Sequence, residues 1–329
     1  MHLTLPALHA AVHGGPDALG AVPFDFSTNT NACGPCPQAA HTVQTADATH
    51  YPDPAYTQLR AQLAQFHAVE PERVLLAASA SEFIFRITAW AMQQGFADAL
   101  VPVHGYGDYA RAAQAMGLRT AAQASAGTLA WACDPSSPLG QTSQGMAALL
   151  DSGAAVVLDR AYEPLRLQGS ISLSAHQLNQ VWQLWTPNKA LGLTGVRAAY
   201  AIAPVHAQTQ CLTLQALCPS WPVGAHGVAM LAAWVRPEVQ QWLADSLVTL
   251  RQWKARQLAL CATLGWECLP SEVNFFCVVP VLPLPLDGLR ARGIKLRDCA
   301  SFGLPQHLRL SVQAPAAQDM LLKAVKECV

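Results

Sequence analysis

At 329 residues the chain exceeds the usual single-domain length, and a formal net charge of −1 without long runs of either sign excludes the electrostatic footprint of a nucleic-acid binder. Only 12% of residues are charged and 52% are hydrophobic, so much surface must be buried, part of it between the two copies of an expected homodimer. No apolar run reaches the roughly 18 residues that cross a bilayer, and the opening Met1-His2-Leu3-Thr4 lacks the charged and apolar regions of a signal peptide, which predicts a cytoplasmic protein with no membrane partner.

The first forty residues, rich in Pro and Gly, show little regular pattern and are expected to pack on a smaller C-terminal domain spanning 229–329, leaving 41–228 as the large domain. Within them Cys33-Gly34-Pro35-Cys36 has the spacing of a thioredoxin active site. No strand pattern precedes it and no obvious helix follows, so no redox role is expected. The ten cysteines are scattered, several in apolar stretches such as Cys261 and Cys277, and read as buried free thiols. The eleven histidines show neither HExxH nor paired Cys/His spacing, so no metal is expected.

After Tyr51-Pro52-Asp53-Pro54, the residues Leu59, Leu63 and Phe66 follow helical spacing. Short apolar runs at 73–77, 99–103, 129–132, 154–158, 181–185 and 198–202 read as buried strands alternating with helices, the pattern of an α/β fold around a mostly parallel sheet. Ser79 and Glu82 form a capping box for a helix carrying Phe83, Ile87 and Trp90. Beyond 228 one long helical stretch with Trp234, Trp242, Leu247 and Leu250 precedes strands at 275–279 and 308–312, an α+β arrangement.

In such a sheet ligands bind beyond the carboxyl ends of the strands. Residues 78–81 open a helix there, and its free amides either bind an anion such as a phosphate or are simply capped. Asp159 ends the run 154–158, with Tyr162 close enough to face the same cleft. Its carboxylate either pairs with a protonated ring nitrogen or caps the next turn. The most restricted segment is Leu184-Trp185-Thr186-Pro187-Asn188-Lys189-Ala190-Leu191-Gly192-Leu193-Thr194-Gly195-Val196-Arg197. Lys189 follows a strand in a stretch poor in charge, with a hydroxyl three residues before it and an arginine eight after. An amine beside a buried cleft has a lowered pKa and forms an imine with an aldehyde.

Thr-x-x-Lys with Arg eight residues later resembles the cofactor segment of the fold-type-I enzymes of pyridoxal 5′-phosphate (PLP), the aspartate aminotransferase superfamily. The resemblance implies PLP on Lys189, its phosphate on Thr186, Arg197 and the amides of Ala80 and Ser81, its pyridine nitrogen on Asp159, and Tyr106 of Gly105-Tyr106-Gly107-Asp108-Tyr109 stacked on the ring. Nearly end to end, His13-Gly14-Gly15, Asp25-Phe26-Ser27-Thr28-Asn29-Thr30-Asn31 and Tyr51-Pro52-Asp53-Pro54 resemble the threonine-phosphate decarboxylases of cobalamin biosynthesis, relatives of histidinol-phosphate aminotransferase. By that resemblance Arg297 and Arg309 grip the carboxylate of an amino-acid substrate, His13 and Asn31 its phosphate, and Tyr51 reaches the cofactor phosphate of a second copy across a shared active-site interface.

Several positions depart from the family pattern. Asp134-Pro135-Ser136-Ser137-Pro138-Leu139-Gly140 stands for Asn-Pro-x-Asn-Pro-Thr-Gly, which puts Ser137 where an asparagine meets the cofactor's phenolic oxygen. Ala77-Ala78-Ser79 replaces Gly-Asn-Gly, Trp185 stands where relatives often carry arginine, and Arg160 replaces a glutamate. Three readings follow: decarboxylation of L-threonine O-3-phosphate, transamination of histidinol phosphate or an aromatic amino acid, and a PLP-fold protein that binds without catalysis.

Overall fold

The structure is a computed structural model that describes residues 13–328; the opening Met1-His2-Leu3-Thr4 lies outside them. In chain order the strands are β1 (Phe24–Asp25), β2 (Val74–Ala77), β3 (Asp98–Leu100), β4 (Arg119–Thr120), β5 (Thr128–Cys133), β6 (Ala155–Asp159), β7 (Trp182–Trp185), β8 (Ala199–Ile202), β9 (Glu267–Cys268), β10 (Phe275–Val279), β11 (Ile294–Lys295), β12 (Arg297–Asp298) and β13 (Leu308–Ser311).

Seven of them form one sheet in the order β2-β8-β7-β6-β5-β3-β4. Its neighbours from β7 to β4 run parallel, while β8 is antiparallel to both β7 and β2. Every residue of β2, β5, β7 and β8 is buried. A strand covered by helices on both faces has no solvent side on which to place polar residues, which is why these segments read as continuous apolar runs. The run at 99–103 is the exception: β3 stops at Leu100, since Pro102 cannot donate to a ladder, and Val103 is 91% exposed.

The C-terminal part holds an antiparallel sheet, β12-β13-β10-β9. The N-terminal segment lies against this part. β1 pairs in parallel with β11, and the Ser311 amide donates to the Phe26 carbonyl at 2.8 Å. Asp17 takes ion pairs from Arg290 at 2.7 Å and Lys295 at 2.6 Å. Between the sheets Arg166 forms ion pairs with Asp134 at 2.6 Å, with Glu163 at 2.9 Å, and with Glu272.

Two local expectations are corrected. The helical stretch beyond 228 is two helices, Ala225–Trp234 and Pro237–Thr263, because the residue before a proline is pushed out of helical geometry while proline itself suits a first helical position. The capping box at Ser79 is half formed: its hydroxyl accepts from the Glu82 amide, but the Glu82 carboxylate turns to the Ala78 amide and to Arg86. The helical spacing of Leu59, Leu63 and Phe66 falls in the helix Thr57–His67, where the two leucines are buried and Phe66 is 38% exposed. Among the described residues no helix is long and apolar enough to cross a membrane.

Candidate active site

The carboxyl ends of β5, β6 and β7 open onto a cavity of about 850 Å³. Ala80, Ser81, Tyr106, Ser137, Asp159, Tyr162, Thr186, Lys189 and Arg197 all line it, as do His13, Arg297 and Arg309 from the two ends of the chain. Tyr51 and Asn31 do not. Tyr51 is 78% exposed and stacks on Trp221 with ring centroids 4.5 Å apart. Asn31 is buried, and its side-chain amide donates to the Ala190 carbonyl at 3.1 Å and to Ser246 Oγ at 2.8 Å while its oxygen takes the Cys33 amide. The expectation that Asn31 meets a substrate phosphate is therefore corrected: its hydrogen bonds tie the lysine loop to the helix Pro237–Thr263.

The segment 186–197 is a loop closed on itself. Thr186 Oγ1 donates to Asn188 Oδ1 at 3.0 Å, the Leu193 amide donates to the Asn188 carbonyl at 2.8 Å, and Asn188 Nδ2 reaches the carbonyls of Thr194 and Val196. This folding brings Thr186, Lys189 and Arg197 to one cavity although the first and the last lie eleven positions apart. The Lys189 ammonium lies 5.2 Å from the Tyr162 ring centroid. Among the described residues neither it nor the Arg197 guanidinium makes a hydrogen bond or ion pair.

Asp159, the last residue of β6, is buried; its Oδ1 accepts the Ala161 amide at 2.9 Å and its Oδ2 the Tyr109 hydroxyl at 2.7 Å. Burial pushes its carboxyl above the usual range, opposed by those hydrogen bonds and by the charge on Lys189. Tyr106 shares a hydrogen bond of 3.0 Å with Ser81 Oγ, and burial pushes its phenol up to about 12. The Ala80 and Ser81 amides belong to the first turn of the helix Ala80–Gln93, where amides lack intrahelical partners.

Arg309 and Arg297 are cross-strand partners on β13 and β12. Arg309 donates to the Ser27 carbonyl at 3.0 Å and to Ser137 Oγ at 3.4 Å, and its buried Nε has no partner. Arg297 donates to the Asp298 carbonyl at 2.8 Å and to Ser301 Oγ at 2.7 Å; burial lowers its pKa, and the Arg309 charge adds to that. The Ser27 carbonyl also explains His13-Gly14-Gly15: a Cβ at Gly14 would collide with it, so only glycine lets the chain pass and set His13 at the cavity. His13 lies 5.9 Å from the Tyr106 ring, and partial burial lowers its pKa.

Arg160 and Trp185, two departures from the family pattern, occupy one another outside the cavity: the guanidinium sits 4.3 Å over the indole and donates to Gln183 at 2.9 Å. At Cys33-Gly34-Pro35-Cys36 a helix does follow, Pro37–Gln44, with Cys36 at its cap. Burial raises both thiols, Cys33 to about 11, which makes poor nucleophiles. Sequence reasoning assigned no role to Tyr109, Arg111, Ser27 or Phe302, all of which line the cavity. For Tyr109 a signal existed, since it stands three residues after Tyr106 beside the same helix start.

The lining carries six basic side chains (His13, Arg111, Lys189, Arg197, Arg297, Arg309) against two carboxylates, Asp108 and Asp159. An amine and a guanidinium without partners, an orphaned Arg309 Nε, a helix start and a buried carboxylate together fit a ligand carrying an aldehyde, a phosphate and a basic ring nitrogen.

Residues 118–327 match the model of the aminotransferase class I and II family, and the chain belongs to that family. It is accordingly a PLP-dependent enzyme, and the reading as a binding protein without catalysis is set aside. Histidinol-phosphate aminotransferase of Symbiobacterium thermophilum is 27% identical, the match covering 92% of this chain and 89% of the relative. The namesake enzyme of Halorubrum lacusprofundi is 28% identical over 87% of this chain and 83% of its own. Among solved structures, histidinol-phosphate aminotransferase from Sinorhizobium meliloti in complex with pyridoxal-5′-phosphate superposes with a TM-score of 0.80 at 20% identity, covering 100% of this chain and 98% of the other. L-threonine-O-3-phosphate decarboxylase from Porphyromonas gingivalis gives 0.75 at 20% identity, covering 92% and 98%. The fold is that of fold type I, like aspartate aminotransferase.

Proposed function

We propose that the protein decarboxylates L-threonine O-3-phosphate to (R)-1-aminopropan-2-yl phosphate, as a cytoplasmic homodimer. The observation that carries this reading is the charge layout: beyond Arg197, the cavity offers the Arg297 and Arg309 pair and, separately, His13. Two anchoring points besides the one for the cofactor, a pair of guanidiniums and an imidazole that can donate a hydrogen bond, suit a small substrate bearing both a carboxylate and a phosphate.

In this reading Lys189 holds the cofactor aldehyde, Asp159 its ring nitrogen, Tyr106 the ring face, and Ser137 and Tyr162 flank it. Thr186, Arg197 and the amides of Ala80 and Ser81 hold its phosphate, and Tyr51 reaches across to the second copy's phosphate. Bound PLP supplies an electron sink for the pair left when a bond at the substrate α-carbon breaks. Which bond breaks depends on which one the protein aligns with the ring's π system. Arg297 and Arg309 would grip the substrate carboxylate and orient its bond to the α-carbon, and Lys189 Nζ would hold the proton that replaces the departing CO₂. Phe275 and Phe302, 5.5 and 5.6 Å beneath the Arg309 guanidinium, keep water from that ion pair and so strengthen it. The division at residues 40 and 228 belongs to the same proposal, with the seven-stranded sheet inside 41–228 and the four-stranded one inside 229–329.

Protein loaded with PLP and given L-threonine O-phosphate without any oxo acid is expected to release CO₂ and the amine. No release with the cofactor's visible band intact overturns the decarboxylase reading. The second reading, transamination of histidinol phosphate, is favoured by the names of the curated relatives. It predicts half-reactions with an amino donor and 2-oxoglutarate.

A further inference from the structure

Tyr109 borders the cavity but is almost wholly buried. Its ring stacks on Trp131, centroids 4.6 Å apart and planes 13° from parallel, and meets the Tyr106 ring edge-on at 5.8 Å. Two aromatic neighbours leave the phenol one orientation, and in it the hydroxyl donates to Asp159 Oδ2 at 2.7 Å. We infer that Tyr109 is a positioning residue: by donating to Asp159 it holds that carboxylate charged and aimed at the ring nitrogen of bound PLP. The inference rests on the assignment of Asp159 to the ring nitrogen.

A carboxylate removed from water loses its hydration, and only hydrogen bonds to its charged form restore it. Asp159 has two donors to do this, the Ala161 amide and the Tyr109 hydroxyl. Of the influences that draw its carboxyl back down from the effect of burial, the Tyr109 bond is the largest. A phenylalanine at 109 keeps both ring contacts and deletes this donor, together with the hydroxyl's contact to the Cys133 thiol.

The test compares dissociation constants, by equilibrium dialysis, of PLP and of 1-deazapyridoxal 5′-phosphate, which carries C–H in place of the ring nitrogen. The intact protein is expected to prefer PLP. Tyr109→Phe is expected to shrink that preference about tenfold, the scale of one hydrogen bond to a charged group, and Asp159→Ala to shrink it at least as far. A structural role for Tyr109 would weaken both ligands alike, so an unchanged preference in Tyr109→Phe with a reduced one in Asp159→Ala overturns the inference alone. An unchanged preference in both variants overturns the assignment of Asp159 as well. Site-specific 3-fluorotyrosine at 109, a more acidic donor, supplies a measurement independent of whether Tyr109→Phe folds. It is expected to enlarge the preference, and no enlargement overturns the inference.

Discussion

One wall of the cavity draws Thr186, Asn188, Lys189 and Arg197 from a single loop after β7, whereas the facing wall draws His13, Ser27, Arg297 and Arg309 from both ends of the chain. The first wall is held by hydrogen bonds within its own segment. The second exists only because β1 finds β11, β12 finds β13, and Ser27 offers its carbonyl to Arg309. In the proposed reading the local wall carries the cofactor chemistry and the assembled wall the choice of substrate. Chemistry common to a family can therefore persist while substrate preference drifts with long-range packing.

The largest way to test that division is Lys189→Ala, which is expected to lower turnover by at least about a thousandfold, as loss of a positioned acid–base group does, and to abolish the visible cofactor band. Turnover with a normal band would remove the local wall from the mechanism. On the assembled wall, Arg309→Ala is expected to cut kcat/KM about a hundredfold, the scale of lost hydrogen bonds to a charged carboxylate, with the cofactor band intact. Arg309→Lys restores only part of this, because a point charge cannot replace a planar two-point donor. Loss of the band in Arg309→Ala would show that the two walls are not separable.

Asn31 ties the local wall to the helix Pro237–Thr263 without touching the cavity. Asn31→Ala is expected to lower stability in urea by about 1–3 kcal/mol, the range for unsatisfied buried partners, and to leave KM unchanged. A raised KM at undiminished stability would return Asn31 to the substrate. The smallest effect concerns a group outside both walls. Burial and the charge on Arg160 hold His67 down to about 4, from 6.5. Between those pH values the unfolded chain takes up a proton that the native one refuses, so stability falls as pH drops through the window. His67→Gln should flatten that fall, read from thermal unfolding between pH 6.5 and 4, and an unaltered slope would place the acid sensitivity elsewhere.

The same contrast governs what could be read from the sequence. Five of the six strand runs were legible because burial on both faces leaves a continuous apolar run, the run at 99–103 being the exception, and the lysine loop was legible because its members must be near one another in the chain. Asn31 was misplaced because the resemblance supplies a neighbourhood but not the direction of a side chain, and here the amide turns toward Ser246. The Tyr109 bond spans fifty residues to Asp159 and has no local signature. Pro237 was visible as a helix breaker, and a continuous reading of 228–250 passed over it.

Arg166 adds a mechanical asymmetry. One cation answers Asp134 and Glu163 on its own side, beside the large sheet, and Glu272 in the C-terminal part, so prying the sheets apart along that seam breaks the Glu272 pair and leaves the other two in place. The seam thus parts unequally: the cation stays with the large sheet, and the Glu272 carboxylate is the one left without its charged partner.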